Sequence, residues 1–219
     1  MKRLYAQFLL FFLAVFLFGA GTAETNIKES EDIGSEYADI PGSETAVFAG
    51  GCFWGVEAVF EHVDGVLDVV SGYAGGSRET AQYRTVGTGT TGHAESVRII
   101  FDPTRISYEK LLDVFFTVAH DPTQLNYQGP DVGTQYRSAV FYVSPAQRST
   151  AESVISDFEK RKVFNAPIVT EVAELDEFFP AESYHQDFMK RNPMHPYIRY
   201  WDAPKISRLE EAYPDLFIK

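Results

Sequence analysis

The stretch "TAVFAGGCFWGVEAVFEHVDGVLDVVSGYA", residues 45–74, decides the fold class. "TAVFA" has the short apolar run of a buried strand, "CFWGVEAVFEHV" spaces its apolar residues at helical intervals, and "VLDVVSGYA" returns to strand character. The unit is strand, helix, strand. Further along, "AESVRIIFD" (94–102) reads as a strand, and "SYEKLLDVFFTVA" (107–119) puts Leu111, Leu112, Phe115 and Phe116 on one helical face behind a Ser107 N-cap. "SAVFYV" (138–143) is a strand, residues 146–162 a charged amphipathic helix, "PIVTEV" (167–172) a strand and "AESYHQDFMKR" (181–191) a helix. After Pro193 the tail is expected to wrap the surface, with "KISRLEEAY" (205–213) helical. This alternation predicts an α+β protein, an α/β two-layer sandwich whose mixed β-sheet carries packed helices in a ferredoxin-like plait. Two turn-rich stretches, 75–92 and 120–137, read as long loops without structure of their own, and such loops are commonly functional.

The 219 residues suffice for one well-cored domain, and 45% hydrophobic, 15% aromatic and 23% charged residues are globular proportions. A formal charge of −12, with no Lys/Arg cluster to offset it, argues against nucleic acid and anionic membranes as partners. At the start, Lys2 and Arg3 precede an apolar run from Phe8 to Phe18, and "GAGTA" follows. That is the layout of an export signal, residues 1–23, cleaved near Ala23, with an uncleaved membrane anchor as the alternative. Residues 24–44 set seven acids against Lys28 alone and read as an acidic linker, which leaves 45–219 as the folded domain. Export, expected to be periplasmic, makes the cysteine count informative. Exported chains usually pair their cysteines, and Cys52 is the only one here.

Cys52 is either a small buried hydrophobe or a reactive thiol. Two glycines before a helix start let the first free N–H groups point at its sulfur and favour the thiolate. The effect, about 0.3 to 1 kcal/mol, is less than one pKa unit, so a proton donor or acceptor elsewhere has to complete the chemistry. Phe53 and Trp54 flank the thiol on different faces, and at least one should line an apolar cavity suited to a methyl or thioether group.

"GCFWGVE" (51–57), "GYAGG" (72–76), "YRTV" (83–86), "TGHAE" (91–95), "GTQYRS" (133–138) and "YHQ" (184–186) follow one another in an order and spacing that resembles the A-type peptide methionine sulfoxide reductases, from about Ala46 to Asn192. The resemblance implies that Cys52 attacks the sulfur of the S epimer of methionine sulfoxide and becomes a sulfenic acid, with Glu95 giving a proton to the departing oxygen. It implies that Tyr83 and Tyr136 hydrogen-bond that oxygen, that Phe53, Trp54 and Asp131 form the substrate site, and that His185 supports it from behind. For Glu95 to donate near neutral pH, burial must raise its pKa. The HxE pattern of His93 and Glu95 lacks the cysteines a zinc site needs, so no metal and no bound cofactor are expected.

Many members of that family carry further cysteines that relay oxidation to thioredoxin. This chain has Gly87 in the loop position and none in its tail, so the resemblance implies that an external thiol reductant, a thioredoxin- or glutaredoxin-like protein or a small thiol, reduces the sulfenic acid directly. Oxidised proteins containing methionine sulfoxide are the expected clients, and a monomer is the expected form. Two rival classes remain beside this one: a non-catalytic exported peptide-binding domain with Cys52 merely buried, and a different cysteine-nucleophile enzyme with a histidine partner.

Overall fold

The computed structural model describes residues 40–219. The expected signal (1–23) and all of the expected linker up to residue 39 lie outside the described residues. The first strand, β1 (Glu44–Gly50), leads through a glycine turn into α1 (Phe53–Glu61) and then β2 (Val66–Ala74). A helical turn, α2 (Tyr83–Val86), precedes β3 (Ala94–Phe101), and α3 (Tyr108–Val114) continues as a π-helical turn, Phe115–Ala119. A small hairpin of β4 (Tyr127–Gln128) and β5 (Asp131–Val132) follows, with a 3-10 turn, Thr134–Tyr136, before β6 (Ser138–Tyr142). The chain ends with α4 (Pro145–Arg161), β7 (Glu171–Glu174), β8 (Phe178–Pro180), α5 (Phe188–Arg191), a π-helical turn, Ile198–Asp202, and α6 (Ala203–Ala212).

The main sheet has the order β7-β6-β1-β3-β2-β8. β1 runs antiparallel to β3 and β6, β2 is antiparallel to β3 and β8, and β7 lies parallel to β6, so the sheet is mixed as expected. Its four inner strands with α1 and α3 make the βαββαβ plait. Alternation along the strands divides the side chains between two faces. Phe48, Val97, Ile99 and Phe101 point at the helices and form the main core with Phe60, Leu111, Leu112, Phe115 and Leu209. Val47, Ala49, Ala94, Ala139 and Phe141 take the other face under Ala173, Leu175 and Phe178. Burying one large side chain of the main core contributes about 1.5–3 kcal/mol. No disulfide supplements this among the described residues, where Cys52 is free.

Helix ends follow local chemistry. Ser107 caps α3 by accepting from the Lys110 N–H, and Ser144 caps α4 by accepting from the Gln147 N–H ahead of Pro145.

Four expectations need correction. The two long loops carry elements of their own: α2 sits in the first, the β4/β5 hairpin and a 3-10 turn in the second. The strand expected over "PIVTEV" begins later, because Pro167–Thr170 stays outside the ladder and pairing with β6 starts at Glu171. Within 181–191 only Phe188–Arg191 is α-helical, because Asp187 adopts a left-handed φ of +49° and the residues before it are turns. The tail after Pro193 is no mere surface wrap, since Ile198 and Asp202 are buried and α6 packs on α1.

Candidate active site

Gly51 has φ +93°, which glycine adopts at little cost, and a Cβ there would lie 2.6 Å from the Gln128 side chain. This turn makes Cys52 the N-cap of α1, with the residue 9% exposed. Helix starts carry N–H groups without helical partners. That of Phe53 is taken not by the thiol but by Glu95, whose Oε2 accepts it at 3.1 Å. Strand alternation explains the approach: Glu95 shares the helix-facing side of β3 with Val97 and Ile99, opposite Tyr73 of β2.

Burial holds Glu95 at a pKa of about 8, against the pull of the Phe53 N–H and with a further push from Asp131. The Cys52 thiol is also raised well above its ordinary value, first by burial, then by Glu95 and Asp202, while the Trp54 backbone N–H and Lys205 act the other way. The expected help from the helix start is real but outweighed. At neutral pH the site therefore holds a protonated thiol beside a protonated carboxyl.

Aromatic side chains enclose this pair. Phe53 is buried with its ring 5.9 Å from Tyr73, 6.5 Å from Tyr83 and 5.1 Å from His185. Trp54 stacks on Phe188 at 3.8 Å and donates from Nε1 to His185 Nδ1 at 3.1 Å. His185, lowered to about 4 by burial, is neutral, so its one ring proton sits on Nε2. Tyr83 and Tyr136 are each raised by burial first and then by Glu95, Tyr83 to about 12, and both feel Cys52. Each is a phenol that keeps its proton and lies near enough to feel the charge of both the thiol and the carboxyl. Asp131 accepts a hydrogen bond from the Tyr197 hydroxyl, and burial raises its pKa.

All eight residues singled out in the sequence thus gather around one centre. Several supporting residues were not singled out. Glu182 accepts from the Tyr73 hydroxyl at 2.8 Å and the Tyr83 N–H at 3.0 Å, which fixes the helical turn carrying Tyr83. Gln186 bonds both the N–H and the carbonyl of Ser71 at 2.9 Å, locking the 181–187 turns to β2. Tyr197, Asp202 and Lys205 come from the tail. Only Gln186 lay within a motif, "YHQ"; nothing local marks the others.

The family model described as peptide methionine sulfoxide reductase matches residues 44–215. The chain belongs to this family. It is 56% identical over 177 residues to a peptide methionine sulfoxide reductase of Mesorhizobium japonicum, covering 81% of this chain and 91% of the relative. A second relative, from Synechocystis, is 53% identical over 174 residues, covering 80% of this chain and 81% of its own. Among solved structures, methionine sulfoxide reductase A of Corynebacterium diphtheriae superposes with a TM-score of 0.66 at 36% identity, covering 71% of this chain and 78% of that one. Reduced Mxr1 from Saccharomyces cerevisiae gives 0.65 at 32% identity, covering 71% and 89%. As a peptide methionine sulfoxide reductase, the protein is an oxidoreductase, and its lone thiol and buried acid stand where the "GCFWG" and "GHAE" motifs meet.

Proposed function

We propose that the reductase acts on the S epimer of methionine sulfoxide through Cys52. The observation that carries this reading is the Glu95 carboxyl, protonated by burial and tied to the backbone of the residue next to the thiol. As the sulfur of Cys52 bonds to the sulfoxide sulfur, Glu95 gives its proton to the oxygen and recovers one from the thiol. The protonated oxygen then passes from the substrate sulfur to the Cys52 sulfur: the new S–S bond and the substrate S–O bond break, Cys52 is left as a sulfenic acid, and methionine leaves as the reduced thioether. Tyr83 and Tyr136 donate hydrogen bonds to the oxygen as charge builds on it. Phe53 and Trp54 wall the methyl group, Asp131 is held beside the site by the Tyr197 hydroxyl, and His185 holds the Trp54 indole.

Return to the thiol takes two external thiols. The first displaces water from the sulfenic acid to give a mixed disulfide, and the second attacks the partner sulfur and releases Cys52. A thioredoxin- or glutaredoxin-like protein or a small thiol fits, because Cys52 is the chain's only cysteine. The pattern of residues 1–23 supports export, with oxidised envelope proteins as clients.

The test is an assay of peptides carrying either sulfoxide epimer, with excess dithiothreitol. Reduction of the S epimer alone, lost in Cys52→Ser, is expected; turnover of the R epimer or full activity in the serine variant overturns the reading.

A further inference from the structure

Two charged side chains from the tail are packed against the first turn of α1. Asp202 is fully buried, and Lys205 on α6 holds Nζ 3.1 Å from Asp202 Oδ1. Neither carboxylate oxygen accepts a well-directed hydrogen bond from the described residues. The pair fits because position 55 has no side chain: a Cβ on Gly55 would lie 2.1 Å from Asp202 Oδ1 and 2.7 Å from Lys205 Nζ. Gly55 is the third residue of α1 and Cys52 its N-cap, so the ion pair and the thiol sit at the same end of the helix. The two residues are three apart on the tail's own helical segment, so the pair does not span to α1; burying it against α1 with so little hydrogen bonding is costly, and an apolar pair would pack there as well.

We infer that the Asp202–Lys205 pair is a positioning device for the charge of the Cys52 sulfur, with Lys205 as counter-charge to the thiolate that must leave the mixed disulfide and Asp202 as the brake on it at rest. This rests on the reading of Cys52 as the attacking sulfur. When the second external thiolate attacks the partner sulfur, the old disulfide breaks, the electron pair goes to Cys52, a new external disulfide forms, and the thiolate then takes a proton. Such a step is faster the better the leaving thiolate is stabilised. Burial opposes that here, and of the groups that act on Cys52 Lys205 is the cation that favours its charge. The other titratable groups facing the sulfur are Glu95 from β3, Tyr83 from α2, Tyr136 from the 3-10 turn and Tyr197 from the tail. Around Lys205 stand Asp202, Asp131 and His120.

The test reads thiol chemistry rather than sulfoxide turnover, so it succeeds or fails apart from the catalytic reading. The pH midpoint of Cys52 alkylation by iodoacetamide is measured in the full chain, in Asp202→Asn, and in Asp202→Asn combined with Lys205→Met or Lys205→Arg. The midpoint is expected to fall by about one pH unit in Asp202→Asn, to return with Met and to stay low with Arg. An unmoved midpoint, or Met and Arg behaving alike, overturns the inference. A second measurement covers poor folding of the Asn variants: Cys52 is loaded with glutathione as a mixed disulfide, and recovery of its thiol in dithiothreitol is timed. Lys205→Met is expected to recover roughly threefold more slowly than the parent, with Lys205→Arg close to the parent. Equal rates in all three overturn it.

Discussion

Glu95 keeps its proton because the carboxylate has lost water, not because a partner holds the acid form; its one fixed hydrogen bond, from the Phe53 N–H, favours the anion. With a pKa of about 8, the acid is present at neutral pH and disappears as the pH rises through that value. Single-turnover reduction of a sulfoxide peptide should therefore decline above about pH 8, and Glu95→Gln should lose about 10²–10⁴-fold in rate together with that decline. A rate in the Gln variant that still falls above pH 8 would point to another donor. Tyr83→Phe and Tyr136→Phe should each cut kcat by about 10²-fold with little change in fold, as read by the melting curve. Cys52 and Glu95 could be picked out from short motifs because the reacting groups need particular neighbours. Glu182 and Lys205 could not, because what defines them is a contact across 99 residues to Tyr83 or a hole left by Gly55.

The strands and long helices of the plait were readable from periodicity, since each buries one face and shows it in the sequence. The misread pieces are those whose backbone serves tertiary partners. Pro167–Thr170 looks like a strand by composition, yet the Val169 N–H bonds the Pro122 carbonyl instead of a neighbouring strand. The 181–187 segment has helix-forming residues, but the Ala181 N–H goes to the Ser71 carbonyl and Gln186 turns inward to β2. A Gln186→Leu variant removes the acceptor of the Ser71 N–H and should cost about 1–3 kcal/mol in urea unfolding. It should also raise KM for peptide sulfoxide, because the same segment carries His185 and Glu182 to Trp54 and Tyr83. Unchanged stability would mean that the segment is held by its aromatic stacking alone.

Over the whole molecule, buried carboxyls give stability a characteristic pH dependence. Glu57 and Glu95 are raised to about 8 and Glu61 to about 7, each by burial first. The folded protein keeps these protons at pH values where the unfolded chain has released them. Their contribution is complete below the unfolded carboxyl pKa and is lost as the pH rises to about 8, at about 1.4 kcal/mol per pH unit for each fully buried group. His120 and His185, lowered to about 4, work in the opposite sense between that value and their unfolded pKa of about 6.5. Above pH 6.5 only the carboxyl effect remains. The melting temperature should fall from pH 6.5 to 8.5, and Glu57→Gln should flatten that fall; a rise over this range would refute the assignment of these groups.

β7 and β8 border the main sheet. β7 is four residues long with a glutamate at each end, and β8 is three residues ending in Pro180. Borders this short, charged at one side and closed by an imino acid at the other, offer little template for a foreign chain to add itself as another strand. With oxidised proteins as the proposed clients, such borders leave a loosened client little to pair with.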